Sequence, residues 1–435
     1  MVKRCRLPEV MGIGFVLVAL ILRPLEPAAR DLGLDRGRAQ DMLKYVAEDV
    51  EKNFYDPNLK GVDWKSLVSQ ARERIDRARS RSDMFKAIFV LLANLHDSHT
   101  FFLPPSRSSR VQFGFDAMAF GDDEIRIYRL EKDGVGAKAG LKVGDCILGI
   151  NNFNADRKTW DIMMLDFRVL RPIQVMDVTF VRGTESPRTV RLEGEVKEGQ
   201  IIRDLTGQGV NELRREAAER ASEEEKVRSE NYDDGTGYLR VPSFTVEEGK
   251  LDDQVRKIRE SRALIIDLRL NRGGSRDVLT HLAGCFEAEP SILAEVERRK
   301  KTEQLKITPQ RTTLGIPLFI LVDSETASAA EMFARHFQQN GRAKVVGDTT
   351  SGRVNEAKLF PHRSGIDEIV PYAVEVAVGR VAFPGGEELE GRGVTPDQPC
   401  IPTSDDQVAG RDPCLALAKT LSLKSVVPAA KHQGS

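Results

Sequence analysis

Three apolar runs in the C-terminal half, ALIIDLRL (263–270), PLFILVD (317–323) and KVVGD (344–348), read as strands, and amphipathic helical patterns follow the first two. With GYLRVPSF (237–244) as a further strand, this half of the chain is expected to be α/β. The N-terminal side differs. From Arg38 to Leu95, apolar residues recur at three- and four-residue spacing through MLKYVAEDVEKNF, WKSLVSQARERI and MFKAIFVLLANL, which predicts a helical domain. That pattern stops at HDSHTFFLPP, and strand-like runs follow at VQFGF, EIRIYRL, CILGI, VMDVTFV and RTVRL. The stretch from Asn211 to Asn231 is highly charged with few apolar positions and reads as a solvated helix or linker.

A chain of 435 residues exceeds one ordinary domain. The expected organisation is an N-terminal segment (1–29), a helical domain (30–110), a β-rich domain (111–196), a charged linker (197–232), an α/β core (233–422) and a tail (423–435). With 65 basic and 66 acidic residues mixed along it, the chain carries no electrostatic footprint for nucleic acid. Lys3, Arg4 and Arg6 precede an apolar run from Val10 to Leu22, with Ala28 and Ala29 after it, which reads as an export signal. That run is short for a membrane span, so a cleaved signal is expected; Pro27 before the alanine pair leaves an uncleaved membrane anchor as the alternative. An exported setting would allow Cys400 and Cys414 to close their loop as a disulfide. No CxxC or His/Cys cluster has metal-ligand spacing, so no metal or cofactor is expected, and oligomeric state is left open.

The FGF run at Phe113, Gly114 and Phe115, together with GVGAKAGLKVGDCILGINN (134–152), resembles a PDZ domain. That resemblance implies a small β-barrel whose backbone at Gly114 holds a polypeptide C-terminus while the adjoining exposed strand pairs with the peptide.

Directly after PLFILV comes DSETASAAEMFARHF (323–337), a small-residue turn entering a helix, where helix N-terminal N–H groups favour developing negative charge at Ser328. The stretch from Thr326 to Glu331 resembles the nucleophile segment of the tail-specific (carboxyl-terminal processing) proteases, and ALIIDLRLNRGG resembles their strand and glycine turn. The resemblance implies a ClpP/crotonase-like α/β protease core, Ser328 as nucleophile with Ser324 outside the site, and the N–H groups of Gly273 and Ala329 as oxyanion hole. Asn271 and Arg269 are expected to brace the loop.

Where bacterial members carry a lysine base, 25 residues past the nucleophile, this chain has Arg353, which stays protonated. LHDSHTFF (95–102) instead resembles the tricorn-core branch, which implies His99 as base, ahead of His96, with Ser98 supporting the loop. EELEGRGVTPD (387–397) resembles the segment that carries that branch's orienting glutamate, here assigned to Glu390 with Glu387 and Glu388 as alternatives. The reading is an exported serine endopeptidase acting on unfolded or C-terminally exposed polypeptides. Its rivals are Lys358 as a different base, and a catalytically inactive peptide-binding scaffold of the same fold.

Overall fold

The computed structural model describes residues 32–426 apart from 107–108, 199–204, 206–225, 312 and 366–368. The expected export segment, most of the charged stretch after Asn211 and the end of the tail lie outside the described residues.

The N-terminal amphipathic patterns form α1 (Leu32–Asn53), α2 (Trp64–Arg77) and α3 (Arg81–Ala93). Asp63 and Ser80 cap the second and third by accepting from the backbone N–H groups of Ser66 and Asp83. The helices bury Leu43, Val46, Ile75, Ile88 and Leu92 in one core with Phe102, Tyr372, Val374 and Val376.

After β1 (Phe101–Leu103), β2 (Ser109–Gln112) opens an insert. It comprises β3 (Phe115–Phe120), β4 (Glu124–Leu130), α4 (Val135–Lys138), β5 (Cys146–Ile150), β6 (Phe153–Asn154), α5 (Trp160–Leu165), β7 (Val175–Val181) and β8 (Arg188–Glu193). The helix α5 runs on as a π-helical turn, Asp166–Leu170. Then β9 (Glu195–Glu198) pairs antiparallel with β2, so the insert enters and leaves through a two-stranded neck. Its strands pair in the order β3-β4-β5-β7-β8 with β6 on β5, around a core of its own that includes Ile125, Ile147, Trp160 and Phe180.

The core comprises β10 (Arg228–Asn231), β11 (Thr236–Arg240), α6 (Glu248–Lys257), β12 (Ala263–Asp267), α7 (Arg276–Gly284), β13 (Ser291–Glu297), β14 (Thr302–Ile307) and β15 (Leu318–Val322). It continues through α8 (Ala329–Gln339), β16 (Ala343–Gly347), β17 (Glu356–Ser364), β18 (Val370–Ala382), β19 (Gln398–Pro399), α9 (Ser404–Val408) and α10 (Pro413–Val426). One sheet runs β10-β11-β12-β15-β16-β19, parallel from β11 onward. Strands β12 and β15 are buried at every position because both faces are covered. Leu264, Ile266 and Ile320 pack under Phe333 and Phe337 of α8, whereas Ile265, Phe319 and Leu321 meet Cys414 and Ala418 of α10. That two-sided burial explains their unbroken apolar sequence. A Cys400–Cys414 disulfide ties α10 to the end of this sheet.

A second, antiparallel sheet, β1-β18-β13-β14 with β17 on the other side of β18, was not assigned from the sequence. It joins the N-terminal helices to the core, because β18 contributes to both hydrophobic clusters. GYLRVPSF is strand only to Arg240, after which VPSF turns toward the glycine loop.

Candidate active site

Parallel pairing of β12 with β15 brings the loops at their C-terminal ends together. The buried Asp323 carboxylate locks them by accepting from Leu270 N on one loop and from Glu325 N and Thr326 N on the other. Burial pushes its pKa up to about 6 against those hydrogen bonds. At the end of the second loop Ser328 stands at the N-cap of α8 with φ 56° and ψ −123°, a left-handed conformation that costs a non-glycine residue about 1–3 kcal/mol. Glu331, one turn into the helix and fully buried, holds it there. Its carboxylate accepts from Ser328 N (3.0 Å), Thr350 Oγ1 (2.5 Å), Gly352 N (2.7 Å) and Arg353 N (2.9 Å). Burial raises the Glu331 pKa, and the four donors oppose that shift.

Ser328 lines a cleft of about 620 Å³ together with His99, Gly273 and Ala329. Leu279, Val296, Leu305, Met332, Val354 and Val381 form its apolar wall. His99 Nδ1 lies 2.9 Å from Ser98 Oγ, and Ser98 N donates to Glu390 Oε1 at 3.1 Å. Glu390 Oε2 accepts from Val354 N and Asn355 N. Glu390 is therefore linked to the histidine through Ser98, without the direct hydrogen bond expected of an orienting acid. Asp97 fixes the same turn, accepting from His99 N, Thr100 Oγ1 and Asn355 Nδ2. Burial lowers the His99 pKa and Arg353 adds to this, while the charges of Glu390 and Asp97 raise it.

The other glutamates are committed elsewhere: Glu387 pairs with Arg335 and Glu388 with Arg380. His96 is exposed and lines a separate polar cavity beside Glu390, not the cleft. Lys358, the rival base, lies on the exposed side of β17 with its ammonium 5.5 Å from the Phe360 ring centroid. The Arg353 side chain turns away to an ion pair with Asp161 on α5, while its carbonyl accepts from Ser328 N at 2.6 Å. Ser324 takes no part in the cleft and donates to Ala119 O of the insert.

Two expectations need correction. Gly273 lies against Ser328, yet its N–H donates to Asn271 Oδ1 at 2.8 Å. Asn271 is fully buried and anchored through its amide to Val241 O, so this short turn satisfies the N–H that was expected to serve the oxyanion. Ala329, as the first residue of α8, has an N–H with no intrahelical acceptor. Asn271 and Arg269 do brace the loop, the latter through Asp267 and Asp412.

The second correction concerns the insert. Phe113 and Phe115 are buried, Gly114 turns at φ 71°, and a concavity of about 300 Å³ lies there beside Arg110, Arg129 and Arg168. The adjoining β3, however, is not an open edge. Gly114 O accepts from Glu131 N on the β4 side, so alternate carbonyls from Phe115 onward face outward. All three are already taken: Phe115 O by Arg168 Nη2 (3.2 Å), Ala117 O by Trp160 Nε1 (3.0 Å) and Ala119 O by Ser324 Oγ (2.6 Å). A peptide strand can pair there only by displacing these donors.

The peptidase family S41 profile matches residues 235–400 and the tricorn protease C1 domain matches residues 38–93. The carboxyl-terminal-processing protease of Synechocystis is 23% identical over 91% of this chain and 88% of its own length. The chloroplastic carboxyl-terminal-processing peptidase 1 of Arabidopsis thaliana is 25% identical over 75% of this chain, which spans 65% of that relative. Among solved structures, mature CPAF complexed with lactacystin superposes with TM-score 0.65 at 14% identity, covering 90% of this chain and 98% of the other. The photosystem II D1 C-terminal processing protease gives 0.52 at 18% identity, covering 83% and 93%. These two structures share the fold. The two family profiles and the processing-protease relatives, not the fold likeness, carry the assignment of the chain to peptidase family S41 as a serine peptidase.

Proposed function

We propose that this chain is an exported endopeptidase that cleaves unfolded or C-terminally exposed polypeptides through an acyl-enzyme formed on Ser328. The observation that carries the reading is that Ser328 and His99 line one cleft, while Ser98 behind it meets His99 Nδ1 through its hydroxyl and Glu390 through its N–H. Because Nδ1 of His99 is committed to Ser98, Nε2 is the nitrogen left to take the Ser328 proton. Ser328 Oγ then attacks the peptide carbonyl, and the N-terminus of α8 with the Ala329 N–H stabilises the oxyanion. His99 returns the proton to the leaving amine, and water releases the acyl group by the same route. Gly273 N–H joins the oxyanion hole only if it exchanges Asn271 Oδ1 for the substrate oxygen. Glu390 keeps the imidazolium stabilised through the turn that it holds.

The apolar wall of the cleft supports an apolar residue ahead of the cleaved bond. A carboxyl-terminal substrate preference is supported by the names of the relatives, and export by the basic and apolar start of the sequence. The insert, with its Phe113–Phe115 turn and adjacent helix, supports a PDZ-like role in which the concavity takes a terminal carboxylate.

The test is casein hydrolysis by the wild type beside Ser328→Ala, His99→Ala, Ser98→Ala and Arg353→Ala, with a serine-directed phosphonate as active-site label. Loss of cleavage in the first two, a marked reduction in the third and retention in the fourth support the assignment. A folded wild type inert to casein and to the phosphonate would leave the scaffold reading in its place.

A further inference from the structure

The strand β17 begins at the cleft, since Glu356 and Ala357 line it together with Ser328. Its pairing is one-sided: among the described residues its one strand partner is β18. Which of its backbone groups face the free side follows from β18. Ala377 N donates to Thr100 Oγ1 and Ala377 O accepts from Tyr55 N, and β1 pairs alongside at Ala373 and Glu375. These odd-numbered residues of β18 thus turn their backbone groups toward β1, and the even-numbered ones, Tyr372, Val374 and Val376, turn toward β17.

The ladder bonds of β17 are accordingly made at Lys358, Phe360 and His362, opposite those residues. Ala357, Leu359 and Pro361, opposite Ala377, Glu375 and Ala373, present theirs outward. Proline at position 361 fits this parity, because its missing N–H falls on the unpaired side, where it costs no ladder bond. By contrast the edge of β3 is closed by Arg168, Trp160 and Ser324.

We propose that the polypeptide substrate adds to the free edge of β17 as an extended strand, pairing its main chain with the N–H and C=O of Ala357 and Leu359, and that Pro361 ends the pairing. From Ala357 to Pro361 such a strand covers about 13 Å, or four residues to one side of the cleaved bond. Recognition on that side is then of main chain more than of side chains, which suits an enzyme taking many unfolded sequences. This rests on the serine peptidase reading of the same cleft.

The experiment scans a ten-residue fluorogenic peptide, methylating one backbone nitrogen at a time, against wild-type enzyme. The expected loss in kcat/KM alternates with a period of two on one side of the cleaved bond, about three- to tenfold at each affected position. Leu359→Pro removes one outward N–H without touching the ladder to β18 and should lose a similar factor on the long peptide. Its phosphonate labelling of Ser328 should stay at the wild-type rate. Pro361→Ala supplies an N–H and should improve peptides long enough to reach it. A flat or non-alternating scan overturns the proposal, and it needs no variant to fold. Equal long-peptide kinetics for Leu359→Pro and wild type, with both labelled normally, also overturns it. Failure of the phosphonate to label wild type removes the catalytic reading, and this proposal with it.

Discussion

A methyl group on Gly273 tests how closely the glycine loop and Ser328 are fitted. At φ 92° a Cβ there would stand 2.6 Å from Ser328 Cβ and 3.0 Å from Ala327 O and Ala329 N. Ordinary contact starts near 3.4 Å, so the turn carrying Ser328 has to retreat by roughly 0.8 Å. A displacement of about 1 Å at reacting atoms costs on the order of 100-fold in rate. The backbone penalty, about 1–2 kcal/mol for a side chain in the left-handed region, is separable from this. Gly385 has the same φ of 92° with nothing within 4 Å of its Cβ position. Gly385→Ala should therefore show the backbone penalty alone, while Gly273→Ala should melt lower and alone lose about 100-fold in kcat/KM and phosphonate labelling rate. Activity of Gly273→Ala within threefold of wild type, or an equal loss in Gly385→Ala, would refute the reasoning.

Burial holds His99 below its ordinary value, so with its neutral imidazole as the proposed base kcat/KM should fall only as pH drops through that lowered pKa. The Glu390 charge raises that pKa, so Glu390→Gln should move the acidic limb further down while lowering kcat at neutral pH about tenfold; an upward shift in the pH–rate profile would contradict this. The Cys400–Cys414 bridge, 14 residues apart in sequence, should contribute about 3 kcal/mol, read by denaturant unfolding of wild type against Cys400→Ser/Cys414→Ser. Arg168→Ala with Trp160→Phe, in the Ser328→Ala background, frees the Phe115 and Ala117 carbonyls and should tighten binding of a peptide with a free C-terminus about three- to tenfold by fluorescence polarisation. Unchanged affinity would show that these donors do not cap the groove.

The parallel strands were legible because burial on both faces leaves unbroken apolar runs, and the N-terminal helices because one face alone is buried in each. The antiparallel sheet escaped assignment for a physical reason as well. β18 is buried at some consecutive positions and half-buried at others as it passes from the N-terminal helices to the core, so its alternation is interrupted. β14 and β17 are half-exposed and carry Lys and Glu as well as apolar residues. Ser328, His99 and Glu390 were singled out by short-range motifs; the fold sets the first two on one cleft and the third behind it, bonded to Ser98. What no motif carried was the partner of each backbone group. Whether Gly273 N–H points to the cleft or to Asn271, whether Ser98 or Glu390 meets the imidazole, and whether β3 is open all depend on side chains arriving from elsewhere in the chain or from a turn whose shape the sequence does not state.

Position 353 shows how a side chain can differ while Ser328 stays placed. The contribution of Arg353 to Ser328 is made entirely by its main chain: its N–H goes to Glu331, and its carbonyl accepts from Ser328 N. Any residue with a main-chain N–H would keep both contacts, so the side chain at position 353 is free to change where it is not the base. The guanidinium is put to another use, pairing with Asp161 on the helix that borders the groove of the insert. Four residues upstream of Asp161, Arg157 donates to the carbonyls of Thr349 and Thr350 and pairs with Asp348, whose carboxylate in turn accepts from Gly121 N. The insert and the 348–353 loop are thereby one hydrogen-bonded unit, and that loop is also what Glu331 ties to Ser328. A rotation of the insert relative to the core must therefore either break these contacts or move the backbone against which the nucleophile is held.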